Sequence, residues 1–406
     1  MTPPRIAIPL QLSAPAARPV PVSLNLDAGA LASAGAGRPA RVVPSSARLR
    51  RGDGRHEALI EAHPLDGLGD DPRQPLCFCW LEGVDVHTAH SLEIDLAAEG
   101  EADAAPSPSP LTFPRVQLVP QPGRRIDGLV DGRAVLAYHY DPGAEKPFLH
   151  PLLGPAGVSL TRMGHPGDRE GRVHQNGLWI AHRDVDGENF WDDRAADGRL
   201  CHGSIPRLED GPVSARLTHV VSWESADGRP RLTEHREFRL FALPNAELML
   251  DVTIELHALE RPVRLGRTPF GLLGVRVNRT MAADRGGRIV TATGASGEEQ
   301  ALHQRARWCD YSGPIAPGLW NGLAVFDHDA NPHHPCCWQV RDDGWMGPAP
   351  CYESGLEIDP EGLLTFRYRL LAHDGDAGSA AVGARYDDYV EPPRLMAGAP
   401  RLVPAA

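Results

Sequence analysis

The sequence predicts an all-β protein, a small N-terminal β-domain followed by a large β-sandwich. Three observations predict it. Short runs of alternating apolar and polar residues recur along the chain. Turn signals, not helical stretches, separate them. Proline (39 of 406 residues) and glycine (42) are abundant, proline at nearly twice its usual share of about 5 per cent, and proline interrupts helices and central strands alike.

Residues 1–37 form a Pro/Ala-rich segment in which Pro21 to Leu26 begins a strand. Residues 38–110 read as the small β-domain, with period-2 pieces at Cys77–Leu81 and Ser91–Leu96. The acidic, proline-rich stretch at 100–110 is the strongest linker signal, and the domain boundary is placed there. Residues 111–395 read as the sandwich. Its strands are expected at 116–119, 134–140, 178–180, 215–221, 236–241, 248–256, 323–326 and 363–371, with one short helix over 298–307. Asp131-Gly132 and Asp227-Gly228 mark turns. Residues 396–406 read as a tail.

The formal net charge is −12, and no basic stripe suits a nucleic-acid partner. No run of 18 apolar residues is present, so no membrane helix is expected. The first residues, with prolines inside the apolar stretch, make a poor secretory signal. Seven cysteines, among them the close pairs Cys77/Cys79 and Cys336/Cys337 and no CxxC, fit reduced thiols in a cytoplasmic setting.

Several segments together resemble one family. They are Lys146-Pro147-Phe148-Leu149-His150-Pro151, the run from His174 to His182, and Val185 to Trp191. Further on come Thr233-Glu234-His235-Arg236, Gly271 to Val277, Arg307 to Gly313, Asp327-His328, and Asn331-Pro332-His333-His334-Pro335. Across roughly residues 115–395 the chain is similar to the bacterial family labelled "methane oxygenase PmoA". The resemblance implies a galactose-mutarotase-like super-β-sandwich and a carbohydrate-catabolic context, not a membrane methane monooxygenase. It also implies a Lys-Glu-Gly-like segment where this chain has Thr268-Pro269-Phe270-Gly271.

Histidine is the natural acid or base near neutral pH. His174, Asn176, Leu178, Ile180 and His182 share one strand parity. On a straight strand His174 and His182 would stand about 26 Å apart at about 3.3 Å per residue, unless Gly177 bends the chain or His174 lies in the loop before the strand. His174 and His328 are the candidate acid–base groups, with Glu234 and Asp310 holding sugar hydroxyls. Trp179, His182, Arg236, Tyr311, Asn331 and His334 are the candidate substrate contacts. Glu234 and Arg236, of equal parity, are expected to pair. Trp179, Trp191, Trp308 and Trp338 offer rings to stack on sugar faces or, read otherwise, sandwich core. The loop 327–335 either binds a divalent ion through its histidines or is a proline-fixed loop capped by Asp and Asn. No metal ligand set is assigned and no cofactor is named.

These readings predict an enzyme acting on a small sugar or sugar derivative by acid–base chemistry of the epimerase, lyase or hydrolase type. The alternatives are a carbohydrate-binding protein without catalysis, and a metal-dependent oxygenase or hydrolase using the loop from His328 to His334.

Overall fold

The computed structural model describes residues 5–12, 16–27, 40–42, 47–51, 57–58, 60–64, 76–84, 90–98, 114–141, 146–164, 174–193, 197–393 and 395–403. The strands are β1 (Arg5–Leu12), β2 (Ala16–Leu26), β3 (Ala40–Val42), β4 (Arg48–Arg51), β5 (Glu57–Ala58), β6 (Ile60–Pro64), β7 (Leu76–Val84) and β8 (His90–Ala98). Then come β9 (Val116–Gln121), β10 (Arg125–Val130), β11 (Arg133–His139), β12 (Phe148–Leu152), β13 (Leu178–His182), β14 (Arg199–Glu209), β15 (Ser214–Glu224), β16 (Pro230–Ala242), β17 (Leu248–Ala258), β18 (Val263–Leu265) and β19 (Gly271–Arg276). The last are β20 (Arg288–Thr291), β21 (Trp308–Ala316), β22 (Leu319–Asp327), β23 (Cys337–Arg341), β24 (Trp345–Ala349), β25 (Leu356–Ile358), β26 (Leu363–Asp374), β27 (Leu395–Ala397) and β28 (Arg401–Val403). Two short α-helices are described, α1 (Gly297–Ala301) and α2 (Val382–Val390). The chain is therefore nearly all β, as its alternation predicts. No described helix is long and apolar enough to cross a membrane.

The chain divides into two compact units. One holds residues 1–115, 211–214 and 387–406, the other 116–210 and 215–386. The proline-rich stretch at 100–110 lies outside the described residues. In the first unit, β1 pairs antiparallel with β8 so that Ile6 meets Ile94 and Ile8 meets Leu92. All four side chains are buried, each burial worth roughly 1.5–3 kcal/mol. The segment expected as a tail instead supplies β27 and β28, both pairing with β1. Its alternation is too short to stand out from a loop, so only the pairing partner reveals it. Strands β2, β7 and β6 make a separate three-stranded sheet.

The second unit is built from two eight-stranded antiparallel sheets. One runs β23-β24-β19-β13-β12-β11-β10-β9 and the other β14-β15-β16-β17-β26-β22-β21-β20. Their inner faces share one apolar core. Leu136, Tyr138, Leu178, Ile180 and Val275 come from the first sheet, and Phe238, Leu250, Ile254, Val325 and Leu370 from the second. Period-2 alternation puts every second residue into that core. At Asp131-Gly132 both residues have positive φ (50° and 77°), the two-residue turn whose twist matches a hairpin, here β10–β11.

One element is shorter than its pattern suggests. The helix expected over 298–307 stops at Ala301, because Leu302 is extended and His303 takes φ 61°. The backbone then runs beside β23, with His303 N–H donating to Trp338 O and Ala306 N–H to Cys336 O.

Candidate functional site

The first sheet of the second unit has an outer face turned away from the core. His139, Phe148, Trp179 and Gly274 are successive partners across β11, β12, β13 and β19. Their neighbours in sequence, Tyr138, Leu149, Leu178 and Val275, point inward, so these four form one outward row. The His139 ring stacks on Phe148 at 4.7 Å and 12°. Trp179 lies over Gly274, where a Cβ would meet the indole at 2.4 Å. Only a residue without a side chain lets the ring settle there. Trp191 meets Trp179 edge-on at 5.3 Å, and Phe270 stacks on Trp345 at 5.6 Å. Trp179, Ala181, Trp191 and Trp345 form a second small apolar cluster. The Trp179 Nε1 is buried without a hydrogen-bond acceptor.

Polar groups rim this aromatic wall. His174 sits in the turn before β13, and its Nε2 lies 3.6 Å from Asp192 Oδ1, with 16% and 13% of the two side chains exposed. Lys146 is buried, pairs with Asp193 and donates to Trp191 O at 3.0 Å. Arg276, on β19 beyond Gly274, donates to Gln175 Oε1 at 2.7 Å and lies 3.6 Å from Asp343. The Arg183 guanidinium lies 5.0 Å from the Phe270 ring centre. Asn189 holds the approach to Asp192: its Oδ1 accepts from Trp191 N–H and Asp192 N–H. A histidine facing a carboxylate can trade a proton while the carboxylate holds the imidazolium. A buried ammonium beside it can hold a hydroxyl or carboxylate oxygen.

The parity argument is corrected here. Leu178 and Ile180 face the core, so the row His174–His182 is not an outward face, and Trp179 is what β13 presents outward. His182 is fully buried, with Nε2 at 3.0 Å from Gly266 O. Burial pushes its imidazole down to about 4, so it is a neutral structural group and not a substrate contact.

Glu234 and Arg236 do pair, Nη2 to Oε2 at 2.6 Å, but inside the sandwich at 0% and 1% exposure. Trp223 Nε1 donates to the same Glu234 oxygen at 2.7 Å. Arg236 also donates to the Tyr138 hydroxyl. That leaves the phenol hydrogen for His219 Nδ1 at 2.6 Å, so His219 carries its own hydrogen on Nε2 and gives it to His202 Nδ1 at 2.8 Å. Burial, with Arg236 adding to it, pushes His219 down to about 2. Every member of this chain is thus fixed by its neighbour.

Asp310 is equally enclosed. It accepts from His373 Nε2 at 2.7 Å, both side chains having no exposure. Burial alone would lower the His373 pKa, but the charge and hydrogen bond of Asp310 outweigh it and raise it. Asp310 points to the outer face of the second sheet, since Cys309 and Tyr311 on either side of it face the core. Glu234 points inward on the same sheet, four strands away along β16-β17-β26-β22-β21. Their positions project to Leu364 and Leu371 of β26, so strand spacing puts them roughly 30 Å apart. Glu234, Asp310 and His174 therefore share no cavity.

The remaining expected contacts are braces. The Tyr311 hydroxyl accepts from Ala283 N–H and lies within 3.1 Å of Arg341 O and Asp342 O. Asn331 donates to Asp327 Oδ1 and Arg367 O and accepts from Arg367 N–H. His334 Nδ1 meets Asp327 Oδ2 at 2.9 Å. His328 accepts from Ala330 N–H and lies 3.0 Å from Asp329, and His333 bonds Pro350 O. The three imidazoles turn to separate partners, which is the capped, proline-fixed loop and not a shared ion site. Trp338 is core, and its Nε1 donates to Ala306 O.

The model of a family described as "Family of unknown function (DUF6807)" matches residues 125–387. The chain belongs to that family. Among curated proteins there is no match. Two solved structures from Enterococcus faecalis are similar at low identity. One is a protein in the glycosyl hydrolase family 38, with TM-score 0.41, 11% identity, and coverage of 97% of this chain and 47% of that one. The other is an alpha-mannosidase of strain V583, with TM-score 0.42, 10% identity, and coverage of 97% and 46%. This chain spans about half the length of each.

Within the family match, the site residues that sequence reasoning passed over are Lys146, Asp192, Asp193, His139 and Arg276. Lys146 and Arg276 stood inside segments already singled out. Asp192 and Asp193 follow Trp191 directly, and two carboxylates after an aromatic pair are a signal that could have found them. His139 gave none, standing at the end of β11 with no motif around it.

Proposed function

We propose that the second unit is a sugar-directed enzyme whose site is the outer face of the sheet ordered β23 to β9. The observation that carries this is the His174–Asp192 pair beside the Lys146–Asp193 pair, next to the partly exposed rings of Phe148 and Phe270, which the buried Trp179 and Trp191 back from beneath. The exposed parts of Phe148 and Phe270 match the apolar face of a pyranose, and charged donors and acceptors match its hydroxyls. In this reading His174 takes or delivers the proton and Asp192 orients it and steadies the imidazolium. Lys146 holds an oxygen of the substrate. Epimerisation, elimination and hydrolysis all require such a proton transfer.

The sugar reading agrees with the resemblance to the family labelled PmoA and the mutarotase-like sandwich it implies. The buried free thiols Cys309, Cys336 and Cys351 suit a reducing, cytoplasmic setting. One observation favours binding without turnover. Phe270 stands on this face, stacked on Trp345, where the resemblance implies a glutamate.

The test is calorimetric binding and turnover over a panel of monosaccharides and sugar acids. The wild type should bind one class. His174→Ala should keep the melting temperature and lose turnover by roughly 10²–10⁴-fold. Binding with no turnover in either protein would establish the non-catalytic reading. No sugar bound by the wild type would end both.

A further inference from the structure

The second sheet carries a different cluster on its own outer face. On β16 the inward residues are Leu232, Glu234, Arg236 and Phe238, so His235 points outward. On β17 Ile254 and Leu256 point inward, so Glu255 and His257 point outward. His235 is the direct cross-strand partner of Glu255, and His257 stands opposite Thr233, one outward position along. One donor atom from each of the three side chains falls within 4.8 Å of the others.

We propose that His235, Glu255 and His257 bind a divalent transition-metal ion of the zinc type. Three features point to it. Two imidazoles and one carboxylate are the donors that zinc, cobalt, nickel and copper prefer, whereas magnesium and calcium take oxygen sets. The two histidine rings lie 5.0 Å apart between centres. Imidazoles on one tetrahedral ion at about 2.0–2.1 Å would hold their centres roughly 5.2 Å apart. The donor atoms need to close only to about 3.4 Å from one another for such a site, a side-chain rotation with no backbone movement.

The frame is rigid. β16 and β17 are paired from Leu232–Ala258 to Ala242–Leu248, and the Glu234–Arg236 pair locks the inner face directly beneath His235. Sites built on strands hold their geometry better than sites on loops. With three protein donors and His235 exposed, the fourth position faces solvent and takes water. That is the open, three-ligand arrangement, not the closed one of a purely structural zinc. This site is separate from the proposed sugar face, which belongs to the other sheet.

The experiment is a titration of chelator-stripped full-length protein with Co²⁺, read by its visible ligand-field bands, followed by competition with Zn²⁺. The wild type should show intense four- or five-coordinate bands at one equivalent, displaced by Zn²⁺. His235→Ala and His257→Ala should each weaken binding by more than the 10–100-fold that loss of a mere supporting group costs. The His235→Ala/His257→Ala double variant should lose the bands while its metal-free melting temperature stays unchanged. Bands that persist in the double variant would overturn the proposal, as would a wild type without them. Loss in only one histidine variant would also overturn it, since a shared ion needs both.

Discussion

Replacing Arg236 separates a structural role for the Glu234–Arg236 pair from a functional one. In Arg236→Met the side-chain volume is nearly kept, but the donor 2.6 Å from Glu234 Oε2 and the donor to Tyr138 are both lost. Glu234, without exposure, keeps only Trp223 Nε1. Breaking a buried pair from one side costs about 3–5 kcal/mol, because a charge is left uncompensated. For a domain of this size each kcal/mol moves the melting temperature by about 2–4 °C, so a fall of roughly 6–20 °C is predicted. Glu234→Gln/Arg236→Met removes the stranded charge while keeping an acceptor for Trp223, and should recover most of the loss. Thermal and urea melts of the two variants are the assay. A single variant that melts within about 3 °C of wild type yet loses sugar binding would refute the reasoning and return Glu234 to a ligand site.

Three further outcomes are predicted. His182 and His219 are neutral in the fold, with pKa values pushed down to about 4 and about 2. The unfolded chain protonates them near 6.5 and the folded one does not, so their stabilisation is complete above about pH 6.5 and lost as pH falls from there, toward 4 for His182 and toward 2 for His219, on the order of 3 kcal/mol for His182. A urea midpoint that stays flat from pH 7.5 to about 4.5 would contradict this. Gly274→Ala puts a methyl 2.4 Å from the Trp179 ring, so the indole must shift. Tryptophan emission should change and sugar affinity fall, and unchanged spectra would show that the ring is free to move. Asn331→Ala removes three hydrogen bonds that tie the 328–335 loop to Arg367 and Asp327. It should lower stability by about 1–3 kcal/mol with sugar affinity intact, and a selective loss of affinity would revive the substrate-contact reading.

The layers of this fold were legible because burial on a sheet has a strict period of two. Leu248 to Leu256 alternates, and β17 lies in the middle of its sheet with every second residue in the core. The same period supported the Glu234–Arg236 pair. It could not say which parity faces inward where both look mixed. In Leu178-Trp179-Ile180-Ala181-His182 every residue is buried, because one face meets the core and the other meets the Trp191 cluster. A strand covered on both sides carries no contrast to read. The strands β27 and β28 fail for a different reason. Three residues hold one period at most, and only β1 defines their register.

The site assignments erred in one direction. Polar-looking segments suggest side chains that reach solvent, yet Glu234, Asp310, His182 and Tyr311 are all enclosed. A buried polar side chain is tolerated when a partner satisfies it, and each of these has one: Arg236, His373, Gly266 O and Ala283 N–H. Only the Glu234–Arg236 pair, two positions apart, is announced by strand parity; the other partners lie from 28 to 84 positions away in sequence, so no local motif announces them. His174 differs because it precedes its strand. The turn frees it from the alternation, and its partner Asp192 comes from the loop that also delivers Trp191 to the outer face. The outward residues His235 and His257 follow the same logic in reverse. They alternate with core residues, so their orientation is set by Glu234, Arg236 and Leu256 on the other side of the strands. The two proposed sites draw on side chains from the outer side of each sheet, while the Glu234–Arg236–Tyr138–His219 network is enclosed between the sheets.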